Sequence, residues 1–165
     1  MSTLVLGIGN ILLTDEGVGV HVINRLEQKY TGFQDVRFLD GGTLSFSLAA
    51  ELAKHNRLIV VDAAHTGRSP GSVVCLEGGD VDRYMKGDRK SVHEVGLGDL
   101  LDMARLAAHY PEKIALVGIE PFSIEWGSTL SPAVEKSICV AMEAVVQLLC
   151  RWHGTLTEND TDGLC

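Results

Sequence analysis

Apolar residues in this chain fall into two patterns that alternate: short unbroken runs and longer stripes spaced three or four apart. Leu4-Val5-Leu6 is the first run and reads as a buried strand. Gly7-Ile8-Gly9-Asn10 reads as the turn that ends it, since Gly and Asn tolerate positive φ. After the apolar residues 11–13, Thr14 is placed to cap a helix whose first turn holds Asp15 and Glu16. Val18, Val22, Leu26 and Tyr30 then recur at helical spacing, which predicts a helix over 15–29 that Gly32 breaks. Residues 36–39 read as a second strand, ending in the turn Asp40-Gly41-Gly42-Thr43. A helix over 44–52 turns Leu48, Ala49 and Leu52 inward. The β-branched run 57–62 is a buried strand that closes on Asp62.

The second half continues the alternation. Residues 65–71 read as loop and 72–77 as a strand. The short link from the preceding strand leaves no room for a crossover helix, so this strand is expected antiparallel to its neighbour. Residues 78–90 mix acids and bases and read as an exposed loop. Leu97, Leu100, Leu101, Ala104 and Ala108 form a helical stripe, with His93 in the approach to it. Residues 114–119 are the last strand. The loop 120–127 carries Phe122 and Trp126, which either fold back onto the core or line a groove for a partner. Ser131 and Pro132 have the order of a cap and a first helical residue, and Val134, Ile138, Met142, Val145 and Leu149 follow as an inward stripe. The alternation predicts a single α/β domain over 1–152, with a polar, mobile tail over 153–165.

Composition narrows the function classes. A formal net charge of −8 over 165 residues argues against nucleic-acid binding, which needs a basic surface. No apolar run approaches the roughly 20 residues of a membrane span, and the N-terminus has no signal-like core, so a cytoplasmic protein is expected. The cysteines include no Cys-x-x-Cys pair. Cys139 and Cys150 share a helical run about 16 Å apart, too far to bridge to each other. Cys75 would serve as a nucleophile only beside a base.

The candidate chemistry lies at element boundaries. Glu16, Asp62 and His93 each sit beside one, and in an open α/β sheet such boundaries converge on a ligand-binding rim. Two carboxylates and an imidazole suit a borderline divalent ion such as nickel or zinc. The same three could instead exchange protons. Asp40 has three readings: a turn-making Asp, part of a substrate-positioning loop, or a ribose acceptor in a nucleotide binder. The nucleotide reading lacks support, because Leu12 stands where a dinucleotide fingerprint needs its third glycine, and there is no Gly-Lys-Ser/Thr.

Five segments together resemble the [NiFe]-hydrogenase maturation endopeptidases. They are Gly7-Ile-Gly-Asn-Ile-Leu-Leu-Thr-Asp-Glu-Gly-Val-Gly19, Asp40-Gly-Gly-Thr43, Val61-Asp62-Ala63, Ser91-Val-His-Glu-Val-Gly-Leu97 and Leu130-Ser-Pro132. The resemblance covers about residues 3–150. It implies a twisted five-stranded, mixed but mostly parallel sheet with helices on both faces. It also implies an enzyme that removes a C-terminal peptide from the large-subunit precursor of a [NiFe] hydrogenase. The family's metal-binding and catalytic positions fall on Glu16, Asp62 and His93. The nickel they recognise is carried by the substrate, so no permanent cofactor is expected. Asp40, Gly41, Gly42 and Thr43 fall on a substrate-positioning turn. The family is grouped with aspartic-type peptidases, although this chain has no paired Asp-Thr/Ser-Gly signature. A non-catalytic checkpoint that binds the same nickel-loaded precursor is the alternative.

Overall fold

The apolar runs pair into one sheet in the computed structural model of the chain. Its strands are β1 (Thr3–Ile8), β2 (Val36–Gly42), β3 (Arg57–Ala63), β4 (Val73–Glu77) and β5 (Lys113–Ile119), in the spatial order β2-β1-β3-β5-β4. The first three and β5 are parallel, while β4 runs antiparallel along β5 at the edge. The antiparallel expectation for β4 holds, but its neighbour is β5 rather than the preceding strand β3. The structure describes residues 1–30, 35–43, 47–87 and 92–154, and of Ser47 and 92–96 the backbone alone. Gly32, the start of the helix expected at Leu44, Ser91 and the tail from 155 on lie outside the described residues.

The described helices are α1 (Val18–Lys29), α2 (Ser47–Leu52), α3 (Gly79–Met85), α4 (Val92–Leu106), α5 (Pro132–Glu135) and α6 (Ile138–His153). Alternate residues of a strand leave opposite faces. Val5, Ile59, Val61, Val117 and Ile119 pack with α1 and α6 on one face. Leu4, Leu6, Leu58, Val60 and Leu116 pack with α2, α3 and α4 on the other. Both faces are covered, which is why the strands read as unbroken apolar runs.

Several expectations change in detail. The exposed loop expected over 78–90 contains α3, which buries Val81 and Met85. Two apolar positions among Asp80, Asp82 and Arg83 are too few to show a stripe in the sequence. The first helix begins later than expected: Thr14–Gly17 is a 3₁₀ turn and α1 starts at Val18. Thr14 is not a cap; it adopts φ 44 and its hydroxyl is used elsewhere. On α4, Leu97, Leu100, Leu101 and Ala104 are buried, but the helix ends at Leu106. Ala108 lies beyond it, exposed, at φ 56. Ser131 does cap: its Oγ accepts from Val134 N at 3.4 Å, with Pro132 next. Its helix is the short α5, and the apolar stripe continues on α6. His153, read with the tail, is the last residue of α6 and shares a 2.7 Å hydrogen bond with Thr3 Oγ1.

Candidate active site

The four parallel strands end on one rim. β1 is paired on one side with β2 and on the other with β3, so the strand order reverses between β1 and β3. In open α/β sheets such a reversal opens a crevice at the carboxyl ends of the strands, where ligands bind. Glu16 lies on the 3₁₀ turn that follows β1, and Asp62 is the penultimate residue of β3. Both residues therefore lie at the carboxyl ends of the two strands that border the crevice. Asp62 is only 2% exposed, and Glu16 is half-buried. Asp62 shares the parity of Leu58 and Val60, so its side chain leaves the sheet on the face that α4 covers.

The path of the chain brings the start of α4 to the same rim. β4 descends along β5 and is followed by Gly78, whose N–H donates to Ile114 O at 2.9 Å near the opposite rim. β5 begins at that opposite rim, where Lys113 pairs with Arg57. α4 ends shortly before β5 starts, and its 15 residues span about 22 Å. That matches a seven-residue strand of roughly 23 Å. The helix is therefore long enough to reach back from the start of β5 to the rim that carries Glu16 and Asp62, and the backbone of His93 lies in its first turn. The side chain of His93 is outside the described residues. Among the described residues no cluster of three metal-ligating side chains occurs.

Glycines set the position of Glu16. At Gly9, with φ 136, a Cβ would lie 1.9 Å from Glu16 O. At Gly19 it would lie 2.2 Å from Val61 O and 2.4 Å from Ile8 O. Only glycine lets the turn fold back on β1 and lets the start of α1 press on the ends of β1 and β3. These glycines therefore hold the turn that carries Glu16 against the ends of β1 and β3.

Asp15, next to Glu16, has a role that its local sequence did not show. It is fully buried. Its Oδ2 accepts from Phe122 N at 2.9 Å and Ser123 N at 3.0 Å, and its Oδ1 accepts from Ser131 N at 2.7 Å. Burial alone would raise its pKa, but these N–H donors outweigh it and hold the carboxyl below its ordinary value. Thr14 adds to the tie: its N–H donates to Gly127 O at 2.7 Å and its hydroxyl to Ser123 O at 2.8 Å. Together they fasten the 120–127 loop to the 3₁₀ turn. Glu120, 7% exposed, acts in the same way on a neighbouring loop. Its Oε2 accepts from Thr66 N at 2.6 Å, Thr66 Oγ1 at 2.7 Å and Arg68 N at 3.3 Å. Here too burial raises the pKa and the hydrogen bonds more than offset it.

The end of β2 lies one strand out from the crevice, and the turn expected from residue 40 on is still strand, because Asp40 and Gly42 pair with Gly7 and Ile8 of β1 across a register shift. Asp40 Oδ1 accepts from Gly42 N at 2.8 Å, and Gly42 takes φ 50. Gly9 N donates to Gly42 O at 2.9 Å, linking the end of β2 to the turn after β1. Asp40 and Thr43 are exposed. Cys75 sits on the edge strand β4, with β5 between it and β3. Burial of its thiol, followed by the charge of Glu77, pushes its pKa up, the wrong direction for a nucleophile.

Comparison with known proteins agrees with this fold. Residues 20–148 match the family described as hydrogenase maturation protease (HycI). The chain is 39% identical over 150 residues to the hydrogenase 2 maturation protease of Escherichia coli K12, covering 90% of this chain and 91% of that one. It is 37% identical over 155 residues to the hydrogenase expression/formation protein HupD of Rhizobium leguminosarum bv. viciae, covering 93% and 77%. The structure of the hydrogenase maturating endopeptidase HybD from E. coli superposes with a TM-score of 0.85 at 39% identity, over 93% of this chain and 94% of the other. HybD from Thermococcus kodakarensis gives 0.76 at 29% identity, over 90% and 99%. The E. coli and T. kodakarensis relatives are proteases, which sets aside the non-catalytic alternative. A family match over most of the chain, together with a shared fold at 39% identity, identifies a peptide-bond hydrolase: the chain is a member of the hydrogenase maturation protease family.

Proposed function

We propose that this protease removes a C-terminal peptide from the nickel-loaded large-subunit precursor of a [NiFe] hydrogenase. In this reading Glu16, Asp62 and His93 recognise the nickel that the substrate carries, and no permanent cofactor is needed. What supports it is the topology: Glu16 follows β1 and Asp62 closes β3, at the carboxyl ends of the two strands between which the strand order reverses, and His93 opens α4. The donor types fit the ion, since two carboxylates and an imidazole suit a borderline divalent metal.

Burial divides the work between the acids. Asp62 is fixed in an interior strand and almost fully buried, which suits a ligand that must not move. Glu16 is less deeply buried than Asp62 and lies on a turn rather than inside a strand, although its Oε2 is shielded from solvent. It accepts a proton from the attacking water and returns it to the departing amine. Nickel arriving with the substrate supplies a positive charge against which the scissile carbonyl is polarised. The segment Asp40–Thr43 borders the crevice one strand away and positions the flanking peptide. This is carboxylate chemistry, in keeping with the aspartic-type grouping, without a symmetric Asp pair. The same reading keeps the enzyme in the cytoplasm; among the described residues no helix is long and apolar enough to cross a membrane.

The test is the mass of the precursor after incubation with the wild-type chain and with Glu16→Gln, Asp62→Asn and His93→Ala. Wild type should shorten the precursor. Each variant should lose at least about a hundredfold in rate while keeping its circular dichroism. Undiminished processing by all three would discard this site.

A further inference from the structure

Five large apolar side chains face water beside the crevice. Ile11, Leu12, Phe122, Ile124 and Trp126 are 46, 54, 69, 42 and 85% exposed. They occupy two loops that are cross-linked rather than loose. Gly127 N donates to Leu12 O at 2.9 Å, and Glu125 N donates to Thr14 Oγ1 at 3.1 Å. Asp15 holds the N–H groups of Phe122 and Ser123. Single exposed apolar residues are common, but a patch held on a fastened scaffold marks an interaction site. Phe and Trp are also the side chains that anchor interfaces.

We propose that this patch docks an apolar segment of the large-subunit precursor adjoining the bond to be cut. The inference rests on the function proposed above. Three features of the surface select this occupant. The patch borders the turn that carries Glu16: a Cβ on Gly17 would lie 2.7 Å from Ile11 Cα, and Glu16 N donates to Leu13 O at 3.1 Å, next to Leu12. A substrate segment seated on it runs on to Glu16 and Asp62. The only charged side chain in the 121–127 segment is Glu125, and the chain carries a net charge of −8, so recognition there is apolar rather than ionic. The cross-links hold the side chains in place before binding, which lowers the ordering cost of docking. The patch thereby measures the substrate by its apolar sequence, while the crevice measures its metal.

The experiment is single-turnover cleavage of the nickel-loaded precursor at rising enzyme concentration. It compares wild type, Phe122→Ser/Trp126→Ser, and the control Leu106→Ser/Val140→Ser. Leu106 and Val140 are exposed apolar residues on α4 and α6, outside the patch. The patch variant should raise the half-saturating concentration at least about tenfold with unchanged circular dichroism. The control should match wild type. An unchanged half-saturating concentration in the patch variant overturns the proposal and leaves the peptidase reading standing. So does sedimentation showing a wild-type dimer that the patch variant dissolves, because the occupant is then a second copy. A wild-type chain that cleaves nothing overturns the peptidase reading itself.

Discussion

Two glycine-bearing acidic segments stand side by side on the same rim, and they are built differently. The turn after β1 is held by distant partners. Gly9 and Gly19 let its backbone press on other segments, and Asp15 accepts from residues more than 100 positions away. The backbone at the end of β2 pairs with β1, but its acid is tied locally, through Asp40 Oδ1 and the N–H of Gly42 two residues on. An acid whose partners are local shapes only its own turn. An acid whose partners are remote, as Asp15 is, organises a site: it fixes Glu16 on one side and the 120–127 loop on the other.

The largest break in this comparison is expected from glycine replacement. Gly19→Ala puts a methyl group against the carbonyls of Val61 and Ile8. It should cost at least about 3 kcal/mol in urea denaturation, at the upper end of what overpacking costs in an interior, because the clash is with backbone that cannot swing aside. Gly42→Ala meets nothing nearer than 4.0 Å, so it pays only for its left-handed φ, about 1 kcal/mol. Equal costs at the two positions would erase the distinction.

The acids should differ next. Asp15→Ala leaves three N–H donors without their acceptor and should cost about 3 kcal/mol. Asp40→Ala removes one exposed hydrogen bond and should cost about 1 kcal/mol or less. The same experiments bear on processing, because displacement of the Asp15 scaffold moves Glu16 as well.

A smaller effect appears with pH. The carboxyls of Asp15 and Glu120 titrate below their ordinary values of 3.8 and 4.5 in the folded chain. A depressed folded pKa adds stability that is present above the unfolded value and is lost as pH falls through the folded one. Stability should therefore decline below about pH 4. Asp15→Asn, measured by thermal melts across that range, should show a shallower decline than wild type. A decline of equal steepness would remove Asp15 from the account.

The same contrast explains what could be read from the sequence. All five strands were legible because a sheet covered on both faces needs unbroken apolar runs, and β1, β3 and β5 supply them. The short link into β4 also showed that it must run antiparallel. α3 was not legible, because its buried face is only Val81 and Met85. Ala108 continued the helical stripe in the sequence, but α4 stops before it. Glu16, Asp62 and His93 were picked out by their places at element boundaries, which is a local signal. The tethering by Thr14 and Asp15 was not, since their partners lie in the loop before α5 and nothing nearby reveals them. Thr14 and Asp15 looked like helix-start residues for the same reason.

The central claim is that the rim between β1 and β3 reads a metal held by the substrate before cutting it. Mass spectrometry of two matched precursor preparations, one loaded with nickel and one without, incubated with the wild-type chain, tests it most directly. The account predicts a shortened product from the loaded precursor and intact mass for the empty one. Equal shortening of both would contradict it.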